Sequence, residues 1–158
     1  TPLTSVVLSP GQYYLVQQAG GNNGAVLPTP DATGTIGMAA GSGKVALVKS
    51  TTALTGACPN DPNIVDLVGY GSTASCFRGS APAPGASNTN AAARKTNGCT
   101  DTSNNASDFS LAAPNPRNTI APLNPCTIAK SVLPSFADAL AQRRSHDLAP
   151  TLRLRRFP

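Results

Sequence analysis

The segment Ile64–Phe109 constrains the fold more than any other part of the chain. It begins with a run of branched apolar residues, Ile64–Tyr70, that is typical of a β-strand, and it continues through a Gly-Tyr-Gly turn into a short second strand. A proline- and asparagine-rich loop follows, and a turn of Asp, Asn, Ser and Thr closes the segment. This pattern predicts short strands joined by irregular turns.

The composition favours the same architecture. The 158 residues include 14 glycines, 15 prolines and no tryptophan, which is typical of many short strands rather than of helices. Other strands are predicted at Tyr13–Gln17, Thr35–Met38, Lys44–Lys49 and Ala92–Lys95. We therefore expect residues 1–126 to form an all-β, Ig-like β-sandwich and residues 127–158 to form a basic tail with a short amphipathic helix at 134–144.

Positive charge is concentrated in the tail. Residues 1–126 carry six Lys/Arg and five Asp, whereas residues 127–158 carry six Lys/Arg and two Asp. The tail arginines are candidate anion-binding residues that would contact phosphate or anionic lipid: Arg143, Arg144, Arg153, Arg155 and Arg156. A solvated terminus is the alternative interpretation. No run is apolar and long enough to predict a transmembrane segment.

The four cysteines are Cys58, Cys76, Cys99 and Cys126. They form no Cys-x-x-Cys pair and the chain has one histidine, which argues against structural zinc. Two disulfides in an oxidising compartment explain them better. Of the three possible pairings we favour Cys58–Cys76 with Cys99–Cys126, because each bond closes a local loop between predicted strand ends.

The polar turn near the end of the segment Ile64–Phe109 contains the oxygen-bearing side chains of Asp101, Asn104, Asn105 and Asp108. Calcium prefers such ligands, so a calcium site is one interpretation. Asx-turns are the other, and we favour them because the spacing lacks the Gly and Glu of an EF-hand. Asp66 interrupts an apolar strand, and we expect it to face solvent; a binding-surface carboxylate is the alternative. No catalytic residue and no resident cofactor is predicted, because no acid, base, nucleophile and metal set can be assembled.

A series of motifs runs through residues 3–126. It comprises LSPGQYYLVQ at 8–17, PTPDATGTI at 28–36, GKVALV at 43–48, IVDLVGYG at 64–71, the Asp-Thr-x-Asn-Asn-x-x-Asp-Phe turn at 101–109 and PNPRN at 114–118. Taken as a linked set, these motifs resemble the bacterial lamin-tail domain. The resemblance implies an Ig-like sandwich and a non-catalytic accessory module of secreted or surface proteins, which often accompanies endonuclease/exonuclease/phosphatase-type nucleases or other hydrolases.

The chain departs from that family pattern in two places. Family members usually begin with further strands that are absent here, so the resemblance places Thr1 inside the domain. Arg78 also stands where an acidic residue is common. We therefore expect the chain to be marginally stable alone, prone to self-association or completed by another segment, unless Leu3–Leu8 forms a true first strand.

These features are consistent with three functions of the chain. The first is a non-catalytic interaction or targeting module of a secreted, extracellular or periplasmic bacterial protein with a macromolecular or surface partner. The second is a fragment of a secreted nuclease whose catalytic domain lies elsewhere in the parent protein. The third is a nucleic-acid or anionic-surface binder that acts through the basic tail.

Overall fold

The computed structural model describes residues 1–20 and 26–126. The helix predicted at 134–144 and the tail arginines lie outside these ranges. Residues Thr1–Cys126 form one compact unit. Its elements are β1 (Val16–Ala19), β2 (Ala32–Gly37), β3 (Gly43–Val48), β4 (Ile64–Tyr70), β5 (Ala91–Arg94), a 3-10 turn (Thr96–Gly98), α1 (Asn105–Asp108) and β6 (Phe109–Ala112).

The strands pair in three two-stranded sheets. Strands β1 and β2 pair in parallel, whereas β3 with β4 and β5 with β6 are antiparallel. The prediction of short strands with very little helix is confirmed. The second strand predicted after the Gly-Tyr-Gly turn does not form; Ala83 instead makes one parallel bridge with Tyr70. Leu3–Leu8 also forms no strand.

Glycine is required where β4 ends. Gly71 has a φ of 77°, and a Cβ atom there would overlap the carbonyl oxygen of Gly41. Tyr70, immediately before it, donates its hydroxyl to the Ala39 carbonyl at 2.6 Å. These contacts fix the end of β4 against the residues that lead into β3.

Few apolar side chains are buried in the part of the chain that the structure describes. The buried hydrophobic residues there are Tyr70, Cys76 and Ala83, and the buried polar residues are Asn105, Asp108 and Asn118. Many large apolar side chains are exposed instead, including those of Val45 and Leu47 on β3. Polar contacts and disulfides must therefore supply much of the stability that a larger core would provide.

The C-terminal part of the unit is tied to its beginning by hydrogen bonds. The Asn118 amide donates to the Thr29 carbonyl at 2.9 Å. The Asp31 carboxylate accepts from the Leu15 amide at 2.7 Å and from the Thr119 hydroxyl. These two donors lower the pKa of Asp31 below its ordinary value, because they stabilise the ionised carboxylate.

Both disulfide predictions are confirmed. Cys58 is bonded to Cys76, and Cys99 is bonded to Cys126. The first bond joins the loop after β3 to the segment after β4, and the second joins the turn after β5 to the end of the unit. Each bond closes a short loop, of 18 and 27 residues in sequence separation.

Candidate functional site

Five charged residues from four parts of the chain meet in what we call the Asp–Arg cluster: Asp66, Arg78, Arg94, Asp101 and Asp108. At its centre, the Asp66 carboxylate contacts Arg78 Nη1 at 2.6 Å and Arg94 Nη2 at 2.5 Å. Asp101 Oδ1 lies 3.5 Å from Arg78 and 3.7 Å from Arg94. Asp108 Oδ2 lies 3.8 Å from Arg94. The cluster thereby links β4 to β5 and to the polar turn.

The solvent-facing position predicted for Asp66 describes its environment incompletely. The side chain is 30% exposed, and both oxygens are engaged by guanidinium groups. Its partners follow 12 and 28 residues later in the sequence, so the strand pattern alone gave no sign of them. Two arginines neutralise this carboxylate, and it is therefore poorly suited to act as a free binding or catalytic group.

Asp108 organises the polar turn from within. Its Oδ1 accepts from the Thr102 amide at 2.9 Å and the Thr102 hydroxyl at 2.7 Å, and its Oδ2 accepts from the Asn104 amide at 3.2 Å. Burial opposes ionisation of this carboxyl, but the hydrogen bonds from Thr102 and Asn104 and the charge of Arg94 together hold its pKa below the ordinary value. The geometry is that of a residue that holds its own loop in place.

Asn105 closes the outer edge of β4 with its side-chain amide. Its Oδ1 accepts from the backbone amides of Gly69 at 2.9 Å and Arg78 at 3.0 Å, and its Nδ2 donates to the Leu67 carbonyl at 3.3 Å. The residue is 1% exposed. Asn105 therefore replaces a neighbouring strand at this edge.

The candidate calcium ligands are engaged in hydrogen bonds with other groups of the protein. Asn104 Nδ2 donates to the Ser80 hydroxyl at 3.1 Å, and Asn105 Oδ1 accepts from the Gly69 amide of β4. Asp101 Oδ1 accepts from the Ser103 amide at 3.0 Å. Within residues 1–20 and 26–126, no group of three or more His, Cys, Asp or Glu residues could hold a metal ion. The Asp101 contact is that of an Asx-turn, and the calcium site stays a prediction.

The opposite edge of the same sheet is open. On β4 the outward backbone groups are those of Leu67 and Gly69, which bond to Asn105, to Ala83 and to the Asp66 carboxylate. Their register partners on β3 are Ala46 and Lys44. Alternation along the strand directs the backbone groups of these two residues away from β4. Neither residue's backbone has a hydrogen-bond partner among the residues that the structure describes.

A groove of about 790 Å³ follows this open edge, and we call it the β3 groove. It is lined by Lys44 and Ala46–Val48 of β3 and by Lys49, which follows the strand. Leu67 is the lining residue from β4. The loop that follows β3 forms one wall, and Thr1–Leu3 with Ile36 complete the lining. Its size lies within the range of about 300–1,000 Å³ that is usual for ligand sites.

Among the described residues that line the β3 groove, the charged side chains are those of Lys44 and Lys49. The Lys44 ammonium donates to the Ala57 carbonyl at 2.6 Å and to the Ser75 hydroxyl at 3.0 Å, so one of its three protons has no acceptor within the described part of the chain. No Asp or Glu is among the lining residues. The groove is therefore apolar along β3 and has a lysine near each end of that strand.

Comparison with known proteins adds no relative: no protein-family model, no curated protein and no solved structure matches the chain. The candidate anion-binding arginines, which are Arg143, Arg144, Arg153, Arg155 and Arg156, lie outside the described residues. Within residues 1–20 and 26–126, no helix has the length and apolar character needed to cross a bilayer. The β3 groove was not predicted from the sequence, in which Lys44 and Lys49 flank the apolar run Val45–Val48.

Proposed function

We propose that the chain is a non-catalytic interaction module of a secreted or surface protein. The β3 groove carries this proposal, because it combines a strand edge that is unpaired among the described residues with exposed apolar side chains. Monomeric proteins usually cover or charge such an edge, since it is a template for another strand. Exposed apolar surface beside it is typical of a binding site.

The acidic residues support a structural rather than a chemical role. Asp66 is paired with two arginines, and Asp108 is held by three hydrogen bonds from its own turn. A general base or nucleophile needs a side chain that can reach substrate and exchange a proton. These carboxylates instead have their lone pairs directed at donors within the fold.

The two disulfides support an oxidising compartment, because such bonds persist mainly in secreted and periplasmic proteins. The motif series adds the resemblance to the bacterial lamin-tail domain. On that basis we infer an Ig-like sandwich and an accessory role beside a nuclease or another hydrolase. The parent protein would then supply the catalysis, and this chain would supply attachment.

The test uses the disulfide-bonded chain and a version that ends at Cys126. Each is immobilised and exposed to a surface extract of the cells that produce it, and bound proteins are identified by cross-linking and mass spectrometry. We expect both versions to capture the same partner. Loss of all binding in the shorter version would favour the alternative in which the basic tail binds nucleic acid or an anionic surface.

The same preparations are assayed against plasmid DNA, a phosphomonoester and casein with Mg²⁺, Mn²⁺ and Ca²⁺. We expect no turnover. Turnover of any of these substrates that is abolished by Asp66→Asn or Asp108→Asn would contradict the proposal and identify the chain as an enzyme.

A further inference from the structure

We propose that the β3 groove binds an extended segment of another polypeptide, with carboxylates near both ends and small apolar residues between them. This inference rests on the proposed function and names the chemistry of its partner. It follows from three properties of one edge, as far as the structure describes the chain: unpaired backbone groups, an apolar strand surface and positive charge without a compensating acid.

The backbone determines that the partner is extended. The N–H and C=O groups of Lys44 and Ala46 face away from β4. An added strand would bond to these groups at the usual spacing between strands, about 4.8 Å. The other edge of the sheet is closed by Asn105 and Ala83, so β3 is the edge of this sheet that can receive a strand.

The side chains determine the apolar part of the partner. Ala46, Leu47, Val48 and Leu67 line the groove. Alternation along β3 places Val45 and Leu47 on the face opposite to Ala46, and each is 47% exposed. A strand beside β3 would cover part of both surfaces, so alternate apolar residues on either face of that strand would gain buried area.

The lysines determine the charge of the partner. Lys44 and Lys49 are five positions apart, which corresponds to about 17 Å along an extended chain. Within residues 1–20 and 26–126, no carboxylate lines the groove to neutralise them. Acidic side chains near the two ends of a bound strand would meet these ammonium groups, whereas a basic strand would be repelled.

The same charge argues against a second copy of this chain as the occupant. The sequence Gly43–Val48 carries a lysine and no acid. Two copies paired edge to edge would therefore bring together groove surfaces of the same sign. An acidic segment from a different polypeptide compensates the charge and still supplies the missing backbone partners.

The first experiment uses fluorescence anisotropy with the full, disulfide-bonded chain. The probe is a labelled, end-capped eight-residue peptide of alternating valine and serine with a glutamate near each end. The comparison peptide has lysine in place of both glutamates. We expect saturable binding of the acidic peptide and at least about tenfold weaker binding of the basic one. Equal binding of the two peptides, or no binding of either, would overturn the proposal.

The second experiment changes the edge. Ala46→Pro removes an outward N–H and places a ring where the added strand would lie, so we expect it to abolish binding of the acidic peptide. Ala46→Thr keeps the N–H and is the matched control, with binding expected within about threefold of the unchanged chain. Hydrogen exchange should slow at the Lys44 and Ala46 amides when the acidic peptide is bound.

Charge reversal keeps the proposal falsifiable if Ala46→Pro does not fold. Lys49→Glu should weaken binding of the acidic peptide about three- to tenfold and improve binding of the basic one. Lys95→Glu is the control, because the Lys95 ammonium donates to the Ser107 carbonyl at 2.7 Å and does not line the groove. Equal effects of the two reversals would overturn the proposal.

Two further results separate this inference from the proposed function. A dimer in gel filtration that Ala46→Pro dissociates would mean that a second copy occupies the edge, which contradicts an acidic partner. Capture of the same surface partner by the unchanged chain and by Ala46→Pro would refute the β3 groove as the binding site and leave the interaction role intact.

Discussion

The two edges of the β3–β4 sheet differ sharply in how their backbone groups are satisfied. At the β4 edge, Asn105 bonds to the Gly69 amide and the Leu67 carbonyl, and Ala83 bonds to the Gly69 carbonyl. The Leu67 amide donates to the Asp66 carboxylate of the Asp–Arg cluster. At the β3 edge, Lys44 and Ala46 have no such partners among the described residues. A chain with few buried apolar residues thus uses its polar side chains to close one edge and leaves the other available.

The largest change in stability should come from removal of the disulfides. We expect replacement of either bonded pair by serine, as in Cys58→Ser with Cys76→Ser, to lower the free energy of unfolding by about 2–5 kcal/mol in urea titrations. The Cys58–Cys76 bond also anchors the loop that forms a wall of the β3 groove, since Gly56 and Pro59 line it.

Removal of this first bond should therefore weaken peptide binding as well, whereas removal of the Cys99–Cys126 bond should leave it within about threefold of the unchanged chain. If removal of either disulfide weakens peptide binding equally, the Cys58–Cys76 bond has no specific role in forming the wall of the β3 groove. Unchanged unfolding curves for both would contradict the structural role of the bonds.

The second prediction concerns the closed edge. Asn105→Ala leaves the Gly69 and Arg78 amides and the Leu67 carbonyl without their side-chain partner. We expect a loss of about 1–3 kcal/mol for each group that stays buried and unpaired, measured by urea unfolding. Asn88→Ala, at an exposed position, is the matched control and should change stability by less than about 0.5 kcal/mol. Similar losses in both variants would show that the edge is not closed by Asn105.

The third prediction concerns pH. The folded-state pKa values of Asp31 and Asp108 are lowered, so each carboxylate contributes stability above its unfolded pKa of about 3.9 and loses it as pH falls through the lower folded value. We expect the midpoint of thermal unfolding to be level above about pH 5 and to fall steadily below about pH 4. Asp108→Asn should flatten this fall, and an identical acid profile in that variant would contradict the assignment.

The smallest change in stability should come from a substitution on β3, at the open edge of the sheet. Leu47→Ser changes a side chain that is already 47% exposed, so we expect stability to change by no more than about 0.5 kcal/mol. Tyr70→Ser, at the buried end of β4, should cost several times as much. If Leu47→Ser proves as costly as Tyr70→Ser, the exposed face of β3 is covered in solution and the comparison of the two edges fails.

The sequence predicted the local features of this fold well. Alternation and branched residues located β3 and β4 to within a residue or two. Loop closure between strand ends gave the correct disulfides. These features depend on residues that are close in sequence, where spacing and side-chain preference carry most of the information.

The candidate site depended on contacts that spacing does not reveal. Asp66 meets Arg94 across 28 positions, and Asn105 reaches Gly69 across 36. The open edge of β3 follows from which side chains happen to cover β4, and no pattern within Gly43–Val48 encodes that. The sandwich arrangement is likewise a long-range property, and it stays a prediction.

Asn105 also limits how far this sheet can assemble. With one side occupied by its amide and by Ala83, repeated stacking of copies through the β3–β4 sheet would stop after a single addition. A complex formed through β3 therefore has a fixed stoichiometry at this sheet. The side chain of Asn105, a residue that is 1% exposed, prevents further strands from adding at the β4 edge and so prevents growth into a fibre through this sheet.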